Sequence, residues 1–74
     1  MSLKPVSTDK LIKILAKTGF KPFRQKGNHV ILRCPDGRTT VIPIHPGEEV
    51  GRGLLMKILR DVGVTKEEYL KLIK

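Results

Sequence analysis

The sequence is poor in the residues that stabilise or equip many small domains: its 74 residues include one cysteine, no tryptophan and only three aromatic side chains. One cysteine cannot form an internal disulfide, so the cross-links of small secreted domains are excluded within this chain. The core must therefore be built mainly from aliphatic side chains. A domain of this length buries only about 60 to 65% of the surface of its unfolded chain, so we expect neither a large pocket nor a cofactor.

Acidic residues are also scarce, since seven Asp and Glu stand against fifteen Lys and Arg and leave a net charge of +8. Such an excess is typical of domains that bind a polyanion, above all nucleic acid; lysines that only keep the domain soluble are the alternative. No apolar run approaches the roughly 18 to 20 residues of a membrane span. The first residues also lack the apolar stretch of a signal peptide. We therefore expect a cytoplasmic protein with no membrane partner.

The apolar pattern predicts a short leader at residues 1–6 and a single domain at residues 7–74. Ser7 is a suitable N-cap, and apolar side chains follow it at helical spacing until Gly19. Pro22 marks the next segment as an edge strand. Three short extended runs are predicted in all, each bounded by turn-forming residues, at residues 20–25, 29–33 and 39–44.

Two further helices are predicted after a loop at residues 45–49. Apolar side chains recur at helical spacing from Leu54 to Val62, and Gly63 is placed to end that helix. Thr65 and Glu68 have the spacing of a capping box, which predicts the beginning of a last short helix.

These elements predict an α+β fold of order α-β-β-β-α, with a three-stranded antiparallel sheet, helices on one face of it and a short C-terminal helix. Alternation along the second strand places Val30 and Leu32 on one face and His29, Ile31 and Arg33 on the other. If the helices cover Val30 and Leu32, His29 faces outward.

Three side chains could exchange protons near neutral pH, namely His29, Cys34 and His45. Their spacing is not that of metal ligands, so we predict no metal site. Cys34 precedes Pro35 in a turn, without a catalytic partner at a recognisable spacing, which favours an ordinary turn cysteine. His45 could serve in catalysis or could equally well hydrogen-bond the backbone before the second helix.

His29 is the strongest candidate for a catalytic residue. It stands at the predicted start of a strand, close in sequence to Arg24, Lys26 and Arg33. An imidazole can act as a base at neutral pH, and the neighbouring cations could hold a phosphate beside it. A surface histidine without a chemical role is the alternative, and periodicity alone does not decide between the two.

Two sequence segments and the last two predicted helices follow one another along the chain and are considered together as one set of motifs. The segments are Lys26-Gly27-Asn28-His29-Val30 and Thr40-Val41-Ile42-Pro43-Ile44-His45-Pro46-Gly47, and the helices contain residues 53–60 and 64–70. This set resembles the HicA toxin family of mRNA interferases, and the resemblance covers residues 7–74. The resemblance implies a fold similar to the double-stranded RNA-binding domain. It also implies a ribonuclease that depends on the histidine of a Gly-(Ser/Asn)-His motif, here His29.

The resemblance further implies a toxin that cleaves mRNA and is paired with a HicB-type antitoxin that covers its RNA-cleaving surface. We expect a metal-independent reaction, in which one imidazole takes the proton of a ribose 2′-hydroxyl and a 2′,3′-cyclic phosphate is left. Arg24, Lys26 and Arg33 are the predicted RNA-binding residues, and His45 is a candidate second acid or base. Asn28 stands where the family commonly has serine, and we assign it no chemical role.

Two noncatalytic alternatives have the same fold: an RNA-binding module and a protein-interaction domain that uses the outward face around Ile31. RNA-binding modules of this fold typically carry lysines at the start of the second helix, where they contact phosphates. Here Glu48 and Glu49 precede or begin that helix, where their charge suits the helix dipole, and Arg52 is the only nearby cation. This difference favours the nuclease. Either a homodimer or a toxin–antitoxin hetero-oligomer is compatible with the sequence.

Overall fold

The structure is a computed structural model that describes residues 3–44 and 47–73. Within these residues the chain forms three helices and two antiparallel sheets. The elements are β1 (Val6–Ser7), α1 (Thr8–Ala16), β2 (Lys21–Lys26), β3 (His29–Arg33), β4 (Thr39–Pro43), β5 (Glu49–Val50), α2 (Arg52–Val62) and α3 (Lys66–Leu72). No helix in these residues is long and apolar enough to cross a membrane.

The first helix begins where its local sequence predicts, and it ends at Ala16, before the predicted closing residue Gly19. The Oγ atom of Ser7 accepts a hydrogen bond from the backbone N–H of Lys10 at 3.2 Å, which satisfies one of the free donors at the start of α1. Leu11, Ile14 and Leu15 are buried along one side of the helix. The chain leaves the helix through a turn that ends at Gly19, whose φ of +95° suits glycine.

The main sheet has the strand order β2-β3-β4, and both pairs are antiparallel. Val30 lies opposite Ile42 and Leu32 opposite Thr40, and all four are buried. Helix α1 packs against β2 and α2 against β4, so the helices cover the face that carries these four residues. The predicted α+β fold, with α-β-β-β-α order and helices on one face, is confirmed.

Strand β2 lies at the edge of the sheet, as Pro22 predicted. Its pairing with β3 shifts register between Pro22 and Arg24, so Phe23 is an extra residue in a β-bulge. Regular alternation along the strand does not predict this bulge. The bulge changes which side chains reach the uncovered face of the sheet.

Two helix ends later in the chain also follow their sequence signals. Gly63 ends α2 in a left-handed conformation with φ of +75°. In the capping box of α3, Thr65 Oγ1 accepts from the N–H of Glu68 at 3.1 Å, and Glu68 Oε1 accepts from the N–H of Thr65 at 3.2 Å.

Residues before α1 contribute to the core, although the sequence suggested a short leader at residues 1–6. Leu3 and Val6 are buried, and Val6 pairs with Val50 in the small β1–β5 sheet. Ser7 pairs with Glu49 in the same sheet, so Glu49 belongs to a strand and the first turn of α2 contains no acidic residue. The helix-dipole interpretation of the two glutamates therefore does not apply to Glu49. Strands of two residues show no readable periodicity, which is why the sequence did not reveal them.

Candidate nucleic-acid interface

The candidate site lies on the sheet face that the helices leave uncovered. Side chains of directly opposed residues in antiparallel strands project from the same face, so the register identifies the regularly paired members of this face. We call it the outer face. Its paired residues are Lys21, Arg24 and Lys26 of β2, His29, Ile31 and Arg33 of β3, and Thr39, Val41 and Pro43 of β4. Phe23 of the bulge joins them, because its ring lies against the guanidinium of Arg33.

His29 is exposed at the first position of β3, and its predicted outward orientation is confirmed. It follows the two-residue turn Gly27-Asn28, in which Gly27 has φ of +59°. A positive φ at the first central residue alone is typical of the type II′ hairpin turn. The turn thus sets His29 directly opposite Lys26, with Pro43 on its other side.

Two of the predicted cationic residues lie near His29. Lys26 is its direct partner across the hairpin, a relationship that places the two Cβ atoms about 5 Å apart. Arg24 lies opposite Ile31, at the next outer-face position along the sheet. Both cations are exposed. The hairpin therefore brings an imidazole, an ammonium and a guanidinium to one end of the outer face.

Arg33, the third predicted cationic residue, lies at the other end of β3. It is four residues from His29, which corresponds to about 13 Å along a strand. Its partner across the hairpin is Lys21, and its guanidinium carbon lies 4.9 Å from the centre of the Phe23 ring. The sequence interpretation grouped Arg33 with His29, whereas the structure places it in a second cationic group with Lys21.

The charge of the outer face is not neutralised within the described chain. None of its residues is acidic, and the two ion pairs found in residues 3–44 and 47–73 join Arg38 to Asp36 and Lys57 to Asp61. The four outer-face cations therefore stay available to a negatively charged partner.

The remaining predicted site residues are less informative. His45 lies outside the described residues. Its neighbour Ile44 donates a backbone hydrogen bond to the carbonyl of Asn28 at 2.6 Å. Cys34 is half-buried, and its carbonyl accepts a hydrogen bond from the N–H of Gly37 at 2.9 Å, as in an ordinary turn. The described part of the chain contains no cluster of three His, Cys, Asp or Glu side chains that could hold a metal ion.

Three outer-face residues were not singled out from the sequence: Lys21, Phe23 and Val41. Lys21 could have been found by pairing the first two predicted strands across the Gly27-Asn28 turn. Val41 is 46% exposed, a property that alternation along the third predicted strand indicates. Phe23 could not have been placed, because a bulge has no sequence signal of its own here.

Comparison with known proteins gives a family match. Residues 8–64, well over half of the chain, match the family model described as HicA toxin of bacterial toxin-antitoxin. The matched segment contains α1, the whole three-stranded sheet and α2. No curated protein matches the chain.

Proposed function

Because this chain belongs to the HicA family, the toxins of bacterial toxin–antitoxin systems, we propose that it is a ribonuclease that cleaves mRNA on its outer face. The observation that carries the proposal is the exposed His29 with Lys26 directly opposite it and Arg24 at the next position. A base can take the proton of a ribose 2′-hydroxyl that attacks the adjacent phosphodiester, and the two cations can stabilise the negative charge on the phosphate.

In the proposed reaction His29 acts as the general base. Its imidazole takes the proton of a ribose 2′-hydroxyl, and the 2′-oxygen forms a bond to the adjacent phosphorus. The bond from phosphorus to the 5′-oxygen of the next nucleotide breaks, and this oxygen leaves with a proton from a general acid or from water. The products are a 2′,3′-cyclic phosphate and a 5′-hydroxyl, so no cofactor is consumed. DNA has no 2′-hydroxyl and would not be cut.

The two cations near His29 have distinct proposed roles. Lys26, directly across the hairpin, would donate to the non-bridging oxygens of the phosphate that is attacked and stabilise their growing negative charge. Arg24 would hold the same phosphate or the one beside it through its planar guanidinium. Arg33 is about 13 Å from His29 along β3 and would contact a different phosphate. His45 stays a prediction as the second acid or base.

The partner proposed for this face is a HicB-type antitoxin. Besides its cations, the outer face presents the exposed apolar side chain of Val41 beside the half-buried Ile31, and such an apolar patch suits burial by a protein. An antitoxin that covers this face would exclude RNA from His29, and the inhibited form would be a toxin–antitoxin hetero-oligomer. A substrate of mRNA would place the active toxin in the cytoplasm.

The test is cleavage of a long single-stranded RNA by the purified protein in excess EDTA, compared with the His29→Ala variant. Removal of a general base should lower the rate by about 10² to 10⁴, whereas an exposed strand substitution should change stability by no more than about 0.5 kcal/mol. Gln25→Ala is the matched control, because Gln25 is exposed in the same hairpin but lies opposite Val30 of the covered face.

The outcomes separate the candidate functions. Cleavage in EDTA with cyclic-phosphate ends, lost in His29→Ala and retained in Gln25→Ala, supports the proposal. A folded His29→Ala protein that cuts RNA at the parental rate contradicts it. RNA binding without any cleavage would indicate the noncatalytic RNA-binding module instead.

A further inference from the structure

Phe23 is an aromatic side chain that core packing does not explain. The chain has three aromatic residues; Phe20 and Tyr69 are buried, whereas Phe23 is 58% exposed. A phenyl ring left in water in such an aliphatic protein contributes little to folding. The exposed position of Phe23 among cationic side chains therefore points to a role other than core packing.

The bulge and Arg33 together fix where the ring lies. Phe23 is the extra residue of the bulge between Pro22 and Arg24, and bulges turn side chains away from their regular direction. The Arg33 guanidinium carbon lies 4.9 Å from the ring centre, and Arg33 projects from the face opposite the buried Leu32. Phe23 thus joins the outer face, in a cation–π contact that leaves more than half of its side chain open.

A shallow groove begins at this pair. It is bordered by Lys21, Phe23 and Arg33 and continues to Cys34 and Pro35 in the next turn. Lys21 lies directly opposite Arg33. The groove therefore combines an open aromatic surface with two cationic side chains that could contact phosphate.

We propose that Phe23 and Arg33 form a stacking site for one unpaired nucleobase of single-stranded RNA. The proposal rests on the proposed function, because the RNA is the strand that His29 would cut. Unpaired bases stack on aromatic rings and guanidinium planes, and every base offers such a face. Lys21 contacts the backbone phosphate next to the stacked base.

The proposed stacking site positions the RNA strand and takes no part in the chemical step. Arg33 lies about 13 Å from His29 along β3, so the stacked base belongs to a nucleotide outside the cleaved linkage. It holds the RNA along the outer face while His29 takes the 2′-hydroxyl proton of another nucleotide. Loss of the site should therefore raise KM more than it lowers kcat.

RNA is favoured over a protein as the occupant by the charge around Phe23. Aromatic and arginine side chains are also frequent in protein interfaces. However, Lys21, Arg24 and Arg33 share the face with the ring, and no outer-face residue is acidic. A repeating anion with flat bases matches both features at once.

Binding to a short single-stranded RNA is measured in the His29→Ala background, where cleavage does not interfere. Phe23→Ala should lower the affinity by about 5- to 100-fold, the usual effect of losing one aromatic stacking partner. Phe23→Leu, which keeps apolar bulk without a ring, should show a similar loss, and Phe23→Trp should retain affinity. Met56→Ala, an exposed apolar control on α2 and away from the outer face, should stay within about two-fold. Melting temperatures are compared to show that each variant is folded.

A second measurement locates the base. RNAs with one abasic position each are bound to the parent and to Phe23→Ala; one position should weaken binding to the parent but not to the variant. The chain has no tryptophan, so Phe23→Trp introduces a single fluorophore at the site. Its fluorescence should be quenched by the RNA, and not by the RNA that is abasic at the sensitive position. Met56→Trp, at an exposed site on α2, should not respond.

The results separate this proposal from the ribonuclease function. If both folded variants, Phe23→Ala and Phe23→Leu, bind RNA like the parent and no abasic position matters, the stacking site does not exist, while cleavage by His29 can still hold. If Phe23→Ala weakens binding to the antitoxin but leaves the affinity for RNA unchanged, the ring belongs to a protein interface and the stacking proposal is wrong. If RNA is bound through Phe23 but never cut, the stacking site stands and the ribonuclease proposal fails.

Discussion

A Cβ atom placed on Gly63 would lie 2.9 Å from Nη1 of Arg38, closer than Cβ contacts in proteins. The same nitrogen donates to the carbonyl of Val62 at 3.0 Å, and Nε of Arg38 pairs with Asp36 at 2.7 Å. The turn between β3 and β4 is thereby tied to the C-terminal end of α2. This tie holds the main sheet against the helix that covers it.

Alanine substitution should have opposite effects at two glycines. Gly63→Ala places a side chain at φ of +75°, which costs about 1 to 2 kcal/mol, and it also displaces Arg38. Gly53→Ala meets nothing within 4 Å, and Gly53 has no positive φ in α2, so it should raise the free energy of unfolding by about 0.4 to 1 kcal/mol. Urea denaturation measures both changes. Equal effects of the same sign would show that the Arg38 contact and the left-handed backbone do not matter.

The hydroxyl of Thr40 should be a source of instability. Thr40 is 3% exposed on the covered face, and its Oγ1 is the buried side-chain polar atom that finds no hydrogen-bond partner among residues 3–44 and 47–73. Thr40→Val removes this group and should raise the free energy of unfolding by about 1 kcal/mol. Thr39→Val, at the exposed neighbour, should change it by less than about 0.5 kcal/mol. A less stable Thr40→Val protein would indicate that the hydroxyl is in fact hydrogen-bonded.

Tyr69 should make the protein sensitive to alkaline pH. Burial raises the pKa of its phenol above the ordinary value, because the charged phenolate is disfavoured away from water. The folded state keeps the proton that the unfolded state releases. The stability from this residue is therefore fully present below about pH 10 and is lost as pH rises through the folded pKa.

The check on Tyr69 uses the fact that it is the single tyrosine of the chain. Its phenolate absorbance reports the titration directly, and denaturation at a series of pH values reports stability. Tyr69→Phe should show a smaller alkaline decline, since both proteins share the same lysines. Identical declines would mean that burial of the phenol contributes nothing to the pH dependence.

Lys26 should contribute to RNA binding beyond its contribution to net charge. Lys26→Ala should weaken binding to all sequences and reduce the slope of log affinity against log salt by about 1, as expected for the loss of one phosphate contact. Lys10→Ala removes the same charge from α1, where Lys10 borders a groove with Tyr69 and Ile73 in the helical layer. Binding to RNA should be nearly unaffected there. Equal losses in the two variants would attribute affinity to overall charge and not to the outer face.

The elements of the fold that were predicted are those whose sequence patterns extend over several residues. Helix α1 repeats its apolar spacing over two turns and has Ser7 as a cap, and both its start and its buried side were predicted. The connection between the first two strands of the main sheet was predicted because turn-forming residues at positions 26–28 separate two extended runs. The β1–β5 pair joins Val6 to Val50 across more than 40 positions and involves two residues in each strand, which is too short for any pattern to develop.

The candidate site was likewise predicted in part from the sequence. Strand alternation alone placed His29 on the uncovered face, because helices must bury Val30 and Leu32 and the side-chain period of a strand is two. Proximity along the chain suggested that Arg33 stands beside His29 as Arg24 and Lys26 do. Because β3 is extended, the four-residue separation between His29 and Arg33 corresponds to about 13 Å.

The sequence by itself determined the order of the elements, the side of each that is buried and the excess of positive charge, because these depend on local periodicity, caps and composition. Only the tertiary structure decided which cations share a neighbourhood. It set Lys26 opposite His29 and grouped Lys21 with Arg33. It also turned Phe23 outward, because register and bulges arise from pairing between strands and are not properties of either strand alone.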